Sequence, residues 1–248
     1  IDFTGVEELP GKTFRWSGRY SGTMDNVETI STEVNVLGDF SPQIPDSWRA
    51  PKVLFCANTH PASQILVLDQ CPSSEITAID TFMLWIETEF ESLSSALRKA
   101  DLAILNEEEV CAISGEDFFM KAIDPILSGS CLHGGESAGS GPGGLVIKRG
   151  SSGVFAHLPC GIISLPSFPI SEVVDPTGCG DSFAGALLAN ISQRKGVLND
   201  IESMRDAMVH ATVTSSFTIQ GLGTNKLRGL ERGLYHARLD TFRRIVGL

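Results

Sequence analysis

Residues 175–185 combine glycines, a carboxylate and apolar residues in a spacing suited to phosphate chemistry. Gly178 and Gly180 precede a helical pattern, and a glycine turn that opens a helix presents unpaired N–H groups at the positive end of the helix dipole. Such a turn binds anions, and phosphate above all. A carboxylate at Asp181 opposes simple anion binding, so it favours proton abstraction from a hydroxyl that attacks phosphorus. The alternative is that Asp181 only caps the helix.

The run Asp175-Pro176-Thr177-Gly178-Cys179-Gly180-Asp181 resembles the signature of the ribokinase/PfkB carbohydrate kinase family. The resemblance implies that Asp181 is the catalytic base and that Gly178, Cys179 and Gly180 form an anion hole. Cys179 stands where the family usually has Ala. Its thiol is either activated by the helix start, which lowers a thiol pKa, or buried and unreactive. The apolar pair at 173–174 predicts a strand leading into the turn.

Two other phosphate motifs are excluded by their context. No Gly-Lys-Ser/Thr follows the 175–181 run, so it is not a Walker sequence. Residues 139–144 fit G-x-G-x-x-G literally, but they contain Pro142 and precede an apolar strand pattern instead of opening a helix. We therefore interpret residues 139–144 as a flexible loop.

Composition limits the class of protein and its partners. The 248 residues are 42% hydrophobic and 20% charged, which is typical of a soluble globular domain, and no apolar run reaches membrane-spanning length. The net charge of −11 argues against a nucleic-acid partner. Six scattered cysteines without a Cys-x-x-Cys pair indicate free thiols in a reducing, cytoplasmic compartment and offer no zinc site. The start at Ile1 lacks Met and signal-peptide features, so we expect a fragment or processed chain.

The pattern along the chain predicts an α/β fold. Segments 12–20 and 28–37 have strand character. From residue 53, strand patterns at 53–57, 76–83 and 101–105 alternate with helical spacing, which predicts a parallel sheet with right-handed crossovers. The resemblance implies a ribokinase-like three-layer α/β/α fold, with 1–45 as a β-rich lid on the substrate side and 46–248 as the nucleotide-binding core. The N-terminal strand, substrate-contacting Asp and Gly-Gly motif of the family are not visible, so this part is expected to be truncated.

Asn106 follows a predicted strand, where ligands gather in such sheets. Asn106 and Glu109 match the family's Asn-x-x-Glu motif, which implies a nucleotide contact at Asn106 and a water-mediated Mg²⁺ contact at Glu109. One carboxylate is enough, because Mg²⁺ keeps most of its waters. The alternative is an Asn cap followed by acidic first-turn residues.

Further candidates come from the resemblance. A glycine-containing turn at 148–153 implies nucleotide contacts or, alternatively, a solvent-facing hairpin tip. A small-residue stretch at 210–221 implies an adenine wall or, alternatively, tight helix packing. The implied nucleotide-binding residues are Lys148, Arg149, Gly150, Gly153, His210 and Thr214, and Asp175, Thr177 and Ser215 are candidates for a monovalent cation such as K⁺. The basic C-terminal residues at 226–244 are interpreted as a solvated helix face.

Together these observations predict an ATP- and Mg²⁺-dependent phosphotransferase that acts on a hydroxyl of a sugar, sugar phosphate or nucleoside. The alternative is a non-catalytic kinase-fold protein that serves as a binding or assembly module. The expected partners are a small sugar or nucleoside and a second copy of the chain bound through the lid. No nucleic acid or membrane partner is expected.

Overall fold

The computed structural model describes residues 2–22 and 26–248 and begins with an antiparallel pair of strands. These strands are β1 (Arg15–Ser21) and β2 (Asn26–Glu33), with a β-bulge between Ser17 and Gly18. The strand character predicted for this part is confirmed, although the second strand ends before the predicted residue 37. Residues 1 and 23–25 of the predicted lid lie outside the described residues, and the role of 1–45 as a lid stays a prediction.

The chain divides into two compact units, one covering Ile1–Ser21 and Asn26–Leu145 and one formed chiefly by Val146–Leu248. After the two strands, the first unit alternates strands and helices. These are β3 (Val53–Cys56), α1 (Pro61–Gln70), β4 (Ile76–Ile79), α2 (Met83–Thr88), α3 (Phe90–Arg98), β5 (Leu102–Asn106), α4 (Glu107–Ser114) and α5 (Phe119–Ser128). Strands β3, β4 and β5 pair in parallel, as predicted, and residues 102–105 of β5 are fully buried.

Gln64 of α1 joins the carboxyl ends of two of these strands. Its Nε2 lies within hydrogen-bonding distance of the carbonyl oxygens of Cys56 (3.1 Å), Ala57 (3.0 Å) and Asp80 (2.9 Å). Strand β4 ends at Ile79, so the strand predicted to reach residue 83 is shorter in the structure.

Arg98, the last residue of α3, organises the loop between α5 and the next strand. Its guanidinium donates hydrogen bonds to five main-chain carbonyl oxygens, those of Gly129, His133, Gly135, Gly139 and Ser140. The loop interpretation of residues 139–144 is confirmed, and Arg98 supplies the order that their composition does not predict.

The later strands and helices are β6 (Leu145–Lys148), β7 (Val154–Leu158), β8 (Gly161–Leu165), α6 (Cys179–Ile191), α7 (Ile201–Thr218), α8 (Asn225–Arg228) and α9 (Arg232–Val246). Strands β7 and β8 pair antiparallel, and the main sheet follows the order β3-β4-β5-β6-β7-β8. In the described part of the chain, no helix has both the length and the apolar character needed to cross a bilayer.

The C-terminal arginines are not all solvated. Arg243 of α9 donates to Asp206 Oδ1 of α7 at 2.7 Å, and Arg238 donates to Ser216 O and Gln220 Oε1. The interpretation of the whole basic tail as a solvated face is therefore wrong for these two residues. Both belong to the side of α9 that carries the buried residues Leu239 and Phe242.

Candidate active site

The segment leading into α6 is a loop and not a strand. The N–H groups of Val174 (2.9 Å) and Asp175 (3.2 Å) both donate to the carbonyl oxygen of Ile219, directly after α7. Val173 and Val174 are each 38% exposed. The strand predicted from this apolar pair is wrong, because the two N–H groups bond to a helix end instead of a neighbouring strand.

A tight turn then carries the chain into α6. Asp175 Oδ1 accepts a hydrogen bond from Thr177 N–H at 2.9 Å, and Cys179 N–H donates to Pro176 O at 3.1 Å. Gly178 has φ of 83°, a left-handed conformation that glycine adopts without steric cost. This conformation turns the chain so that α6 begins at Cys179, and the turn therefore requires a glycine at position 178.

Asp181 is the third residue of α6 and lies exposed in its first turn. The residue before the helix is Gly178, so the alternative that Asp181 is the cap is wrong. Its negative charge interacts favourably with the helix dipole, and its exposure leaves the carboxylate accessible to a hydroxyl group. The geometry is compatible with proton abstraction at this position.

Lys148 brings a positive charge to the start of α6. A Cβ atom built on Gly180 would lie 3.2 Å from Lys148 Nζ, so the ammonium group lies directly over this glycine. The absent side chain at 180 lets the lysine approach the helix start closely. A cation beside helix N–H groups is suited to binding a phosphate group. For Lys148 this position favours the predicted contact with the nucleotide over the alternative of a solvent-facing hairpin tip.

The rest of the 148–153 turn is fixed by its backbone. Arg149 N–H donates to Gly153 O at 2.8 Å, and residues 150–152 form one turn of 3-10 helix. Gly153 has φ of 91°, and a side chain there would collide with the carbonyl oxygen of Leu165. Nucleotide contacts at Arg149, Gly150 and Gly153 stay predictions.

The environment of Cys179 favours the neutral thiol. Burial, reinforced by the negative charges of Asp175 and Asp181, raises its pKa to about 12. Its Sγ lies 3.8 Å from Ser215 O. The alternative of an activated thiol is wrong, because burial and the two carboxylates act against the thiolate.

The candidates on α7 are largely engaged in packing. His210 Nδ1 lies 2.6 Å from the hydroxyl of Tyr235, and burial lowers the pKa of the imidazole. Thr214 Oγ1 donates to His210 O, and Ser215 Oγ donates to Thr212 O. Several small residues of this stretch, namely Ala211, Thr212, Val213 and Ser216, are buried. Helix packing accounts for these small residues, and adenine contacts at His210 and Thr214 stay predictions.

In the first unit, Asn106 and Glu109 form a reciprocal capping box at the start of α4. Asn106 Oδ1 accepts from Glu109 N–H, and Glu109 Oε2 accepts from Asn106 N–H, both at 2.8 Å. Glu109 is only 4% exposed. The capping alternative therefore describes the local structure, while the nucleotide and Mg²⁺ roles of this pair stay predictions.

No group of three or more His, Cys, Asp or Glu side chains able to hold a metal gathers within residues 2–22 and 26–248. Mg²⁺ bound with a nucleotide needs fewer protein ligands, because water and phosphate oxygens complete its shell. The oxygen ligands proposed from sequence at Glu109, Asp175, Thr177 and Ser215 are of the type that Mg²⁺ and K⁺ prefer.

Comparison with known proteins agrees with this fold. The model of the pfkB family carbohydrate kinases matches residues 66–228, more than half of the chain. The chain belongs to this family.

A curated relative, the cytidine kinase of Thermococcus kodakarensis, is 28% identical over 201 residues, covering 78% of this chain and 66% of the relative. The nucleoside kinase of Burkholderia thailandensis in complex with inosine superimposes with a TM-score of 0.70 at 17% identity over 97% of this chain and 72% of that one. The fructokinase of Vibrio cholerae in its fructose-, ADP- and calcium-bound form superimposes with a TM-score of 0.63 at 18% sequence identity. This superposition covers 82% of this chain and 64% of the fructokinase. These likenesses confirm the ribokinase-like α/β fold with a mostly parallel sheet. The chain spans just under two thirds of the cytidine kinase and of the fructokinase.

Proposed function

We propose that this chain transfers the γ-phosphoryl group of ATP to a hydroxyl of a nucleoside or sugar. The observation that carries the proposal is the start of α6, where a left-handed glycine turn, the ammonium of Lys148 and the exposed carboxylate of Asp181 adjoin. The family supports the same reaction. The relatives described as cytidine kinase and nucleoside kinase favour a nucleoside as the acceptor.

Each part of this site has a role in phosphoryl transfer. Asp181 accepts the proton of the attacking hydroxyl, which raises the nucleophilicity of its oxygen. The N–H groups of Gly178 and Gly180 stabilise negative charge on the phosphoryl oxygens, and Lys148 adds a full positive charge beside them. The N–H of Cys179 is already bonded to Pro176 O, and its thiol has no part in the reaction. Cys179 therefore contributes only its place in the turn.

Nucleotide and cations are proposed to use the remaining candidates. Mg²⁺, when bound, neutralises phosphate charge, and Glu109 would hold it through water beside Asn106. Asp175, Thr177 and Ser215 would hold a monovalent cation such as K⁺. The nucleotide would also contact Arg149, Gly150, Gly153, His210 and Thr214.

We further propose a cytoplasmic location, which the six free cysteines support. Segment 1–45 would serve as the lid and, through its strands, as the contact of a homodimer. Size-exclusion chromatography with light scattering at increasing protein concentration tests the dimer, and a mass that stays at one chain contradicts it.

The test of function compares Asp181→Asn with the wild-type chain. ADP release is measured with Mg-ATP and, in turn, cytidine, inosine, ribose and fructose, and Mg-ATP binding is measured by calorimetry. Removal of a general base costs about 10²–10⁴-fold in rate, so kcat should fall this far while nucleotide affinity is kept. Asp240→Asn, the same change on the exposed side of α9, should leave kcat unchanged.

Two outcomes contradict the proposal in different ways. Near-normal turnover of Asp181→Asn would show that its carboxylate does not abstract the proton. A wild-type chain that binds Mg-ATP but transfers phosphate to none of the acceptors would favour the alternative of a non-catalytic binding module.

A further inference from the structure

Arg238 of α9 reaches the last turn of α7. Its guanidinium donates to Ser216 O and Ser216 Oγ, both at 3.0 Å, and to Gln220 Oε1 at 2.8 Å. A guanidinium is always charged and has a rigid fork of donors, so these bonds fix one geometry of the helix end. Arg238 therefore connects to main-chain and side-chain atoms on both sides of Ile219.

The same guanidinium also lies between two aromatic rings. Its central carbon lies 3.6 Å from the ring centroid of Phe217 and 5.0 Å from that of Phe168. Phe168 packs in turn on Phe242 of α9, with ring centroids 5.9 Å apart. Since Phe168 precedes the turn into α6 by only a few residues, Arg238 fixes the segment that enters the turn as well as the helix end beside it.

The turn into α6 depends on this helix end. Ile219 O accepts the N–H groups of Val174 and Asp175, and Ser215 O lies 3.8 Å from Cys179 Sγ. One helical turn therefore supplies both carbonyl groups against which the turn is held, and it is the turn to which Arg238 bonds.

We propose that Arg238 is a positioning residue that holds the turn at 174–181 in the geometry needed to bind the transferred phosphate. The inference rests on the proposed function for its catalytic consequence. Arg238 acts through Ser216, Gln220 and Phe168 and contacts neither the phosphate nor the acceptor. A shift of the turn would displace the N–H groups and Asp181 together, and a misplacement of about 1 Å can cost about 10²-fold in rate.

Arg243 on the same helix provides a matched control. It is also half-buried and also binds α7, but it donates to Asp206 Oδ1, 13 residues before Ile219. Arg243→Met should destabilise the packing of α9 on α7 while leaving the 215–220 turn and its carbonyl groups in place.

The experiment measures three quantities in Arg238→Met, Arg238→Lys and Arg243→Met. These are the melting temperature, kcat and KM with Mg-ATP and cytidine, and the rate of Cys179 alkylation by iodoacetamide at pH 8, mapped by mass spectrometry. The thiol is a local probe, since its raised pKa depends on the packing of the turn. Arg238→Lys keeps the charge and most of the side chain, so it serves if Arg238→Met does not fold.

We expect Arg238→Met to lower kcat about 10²-fold with a smaller change in KM, and to speed Cys179 alkylation at least tenfold. Arg238→Lys should lose part of kcat, because Lys lacks the planar fork. Arg243→Met should lower only the melting temperature. Unchanged alkylation in Arg238→Met, or equal effects of Arg238→Met and Arg243→Met, would overturn the proposal. Faster alkylation in Arg238→Met, in a protein whose wild type transfers no phosphate, would support the positioning role and refute the proposed function.

Discussion

Substitution of Gly180 by Ala should separate stability from activity. As the second residue of α6, Gly180 has a helical backbone that Ala adopts readily, and such a change stabilises a protein by about 0.4–1 kcal/mol. The new methyl group would lie 3.2 Å from Lys148 Nζ, closer than ordinary van der Waals contact, so the lysine must move by a few tenths of an ångström. The methyl group would therefore displace the ammonium from the place where it is proposed to meet the phosphate.

The expected loss of activity follows from the hydrogen bond that Lys148 is proposed to donate to the phosphate. A hydrogen bond to a charged group contributes about 1.5–3 kcal/mol. If the displaced lysine loses this bond in the transition state, kcat falls about 10- to 150-fold, since 1.36 kcal/mol corresponds to tenfold. The variant should therefore be slower and more stable than the wild type.

Gly185→Ala is the matched control in the same helix. Gly185 is exposed, and apart from its chain neighbours and the backbone of its own helix no described atom lies within 4 Å of the position of its Cβ. The stability gain should therefore be similar and kcat unchanged. Urea denaturation gives the stability, and ADP release with Mg-ATP and cytidine gives kcat. Equal turnover of Gly180→Ala and Gly185→Ala would refute the reasoning that Lys148, lying over Gly180, binds the phosphate.

Two further results are expected. Burial raises the pKa of the Cys179 thiol to about 12 from 9.0, so folding favours its neutral form; this stability is complete below pH 9 and is lost as the pH rises towards 12. Cys179→Ala should therefore show a smaller loss of stability in urea denaturation between pH 8 and pH 10.5, and an equal loss would contradict the raised pKa. Asn106→Ala should cost about 1 kcal/mol through loss of the cap to Glu109 N–H, whereas Asn106→Asp should keep this stability. If Asp lowers Mg-ADP affinity in calorimetry, the amide nitrogen of Asn106 serves the nucleotide; unchanged affinity limits this residue to capping.

The sequence predicted those parts of the fold that depend on local pattern. The buried strand expected at 101–105 is β5, and the helical pattern expected after Gly180 is α6. The predicted strand at 173–174 failed because its bonding partner, Ile219 O, is a main-chain atom 45 positions away from Val174. A carbonyl group has no sequence signature, so pattern alone cannot identify such a partner.

In the candidate site, too, the sequence predicts the features that are set locally and not those that depend on distant packing. The glycine turn and Asp181 follow from the motif, because their geometry is set within a few residues. The position of Lys148 over Gly180 depends on how distant segments pack, which spacing does not encode. The sequence did contain a signal that Arg238 faces the protein and not the solvent. Arg238 precedes the buried Leu239 and Phe242 by one and four positions, which places the three residues on one stripe of the helix.

Arg98 makes the order of its loop independent of the side chains in that loop. It binds only carbonyl oxygens, which every amino acid has, so substitutions at exposed positions such as Glu136 leave all five of its acceptors in place. The glycines of the loop are exceptions, because a side chain at Gly129 would collide with the guanidinium itself, one at Gly141 would collide with Ile126 O, and Gly135 and Gly139 have positive φ. Between α5 and β6 the molecule therefore has a surface segment that can change its chemistry while keeping its shape, as an engineered display site requires.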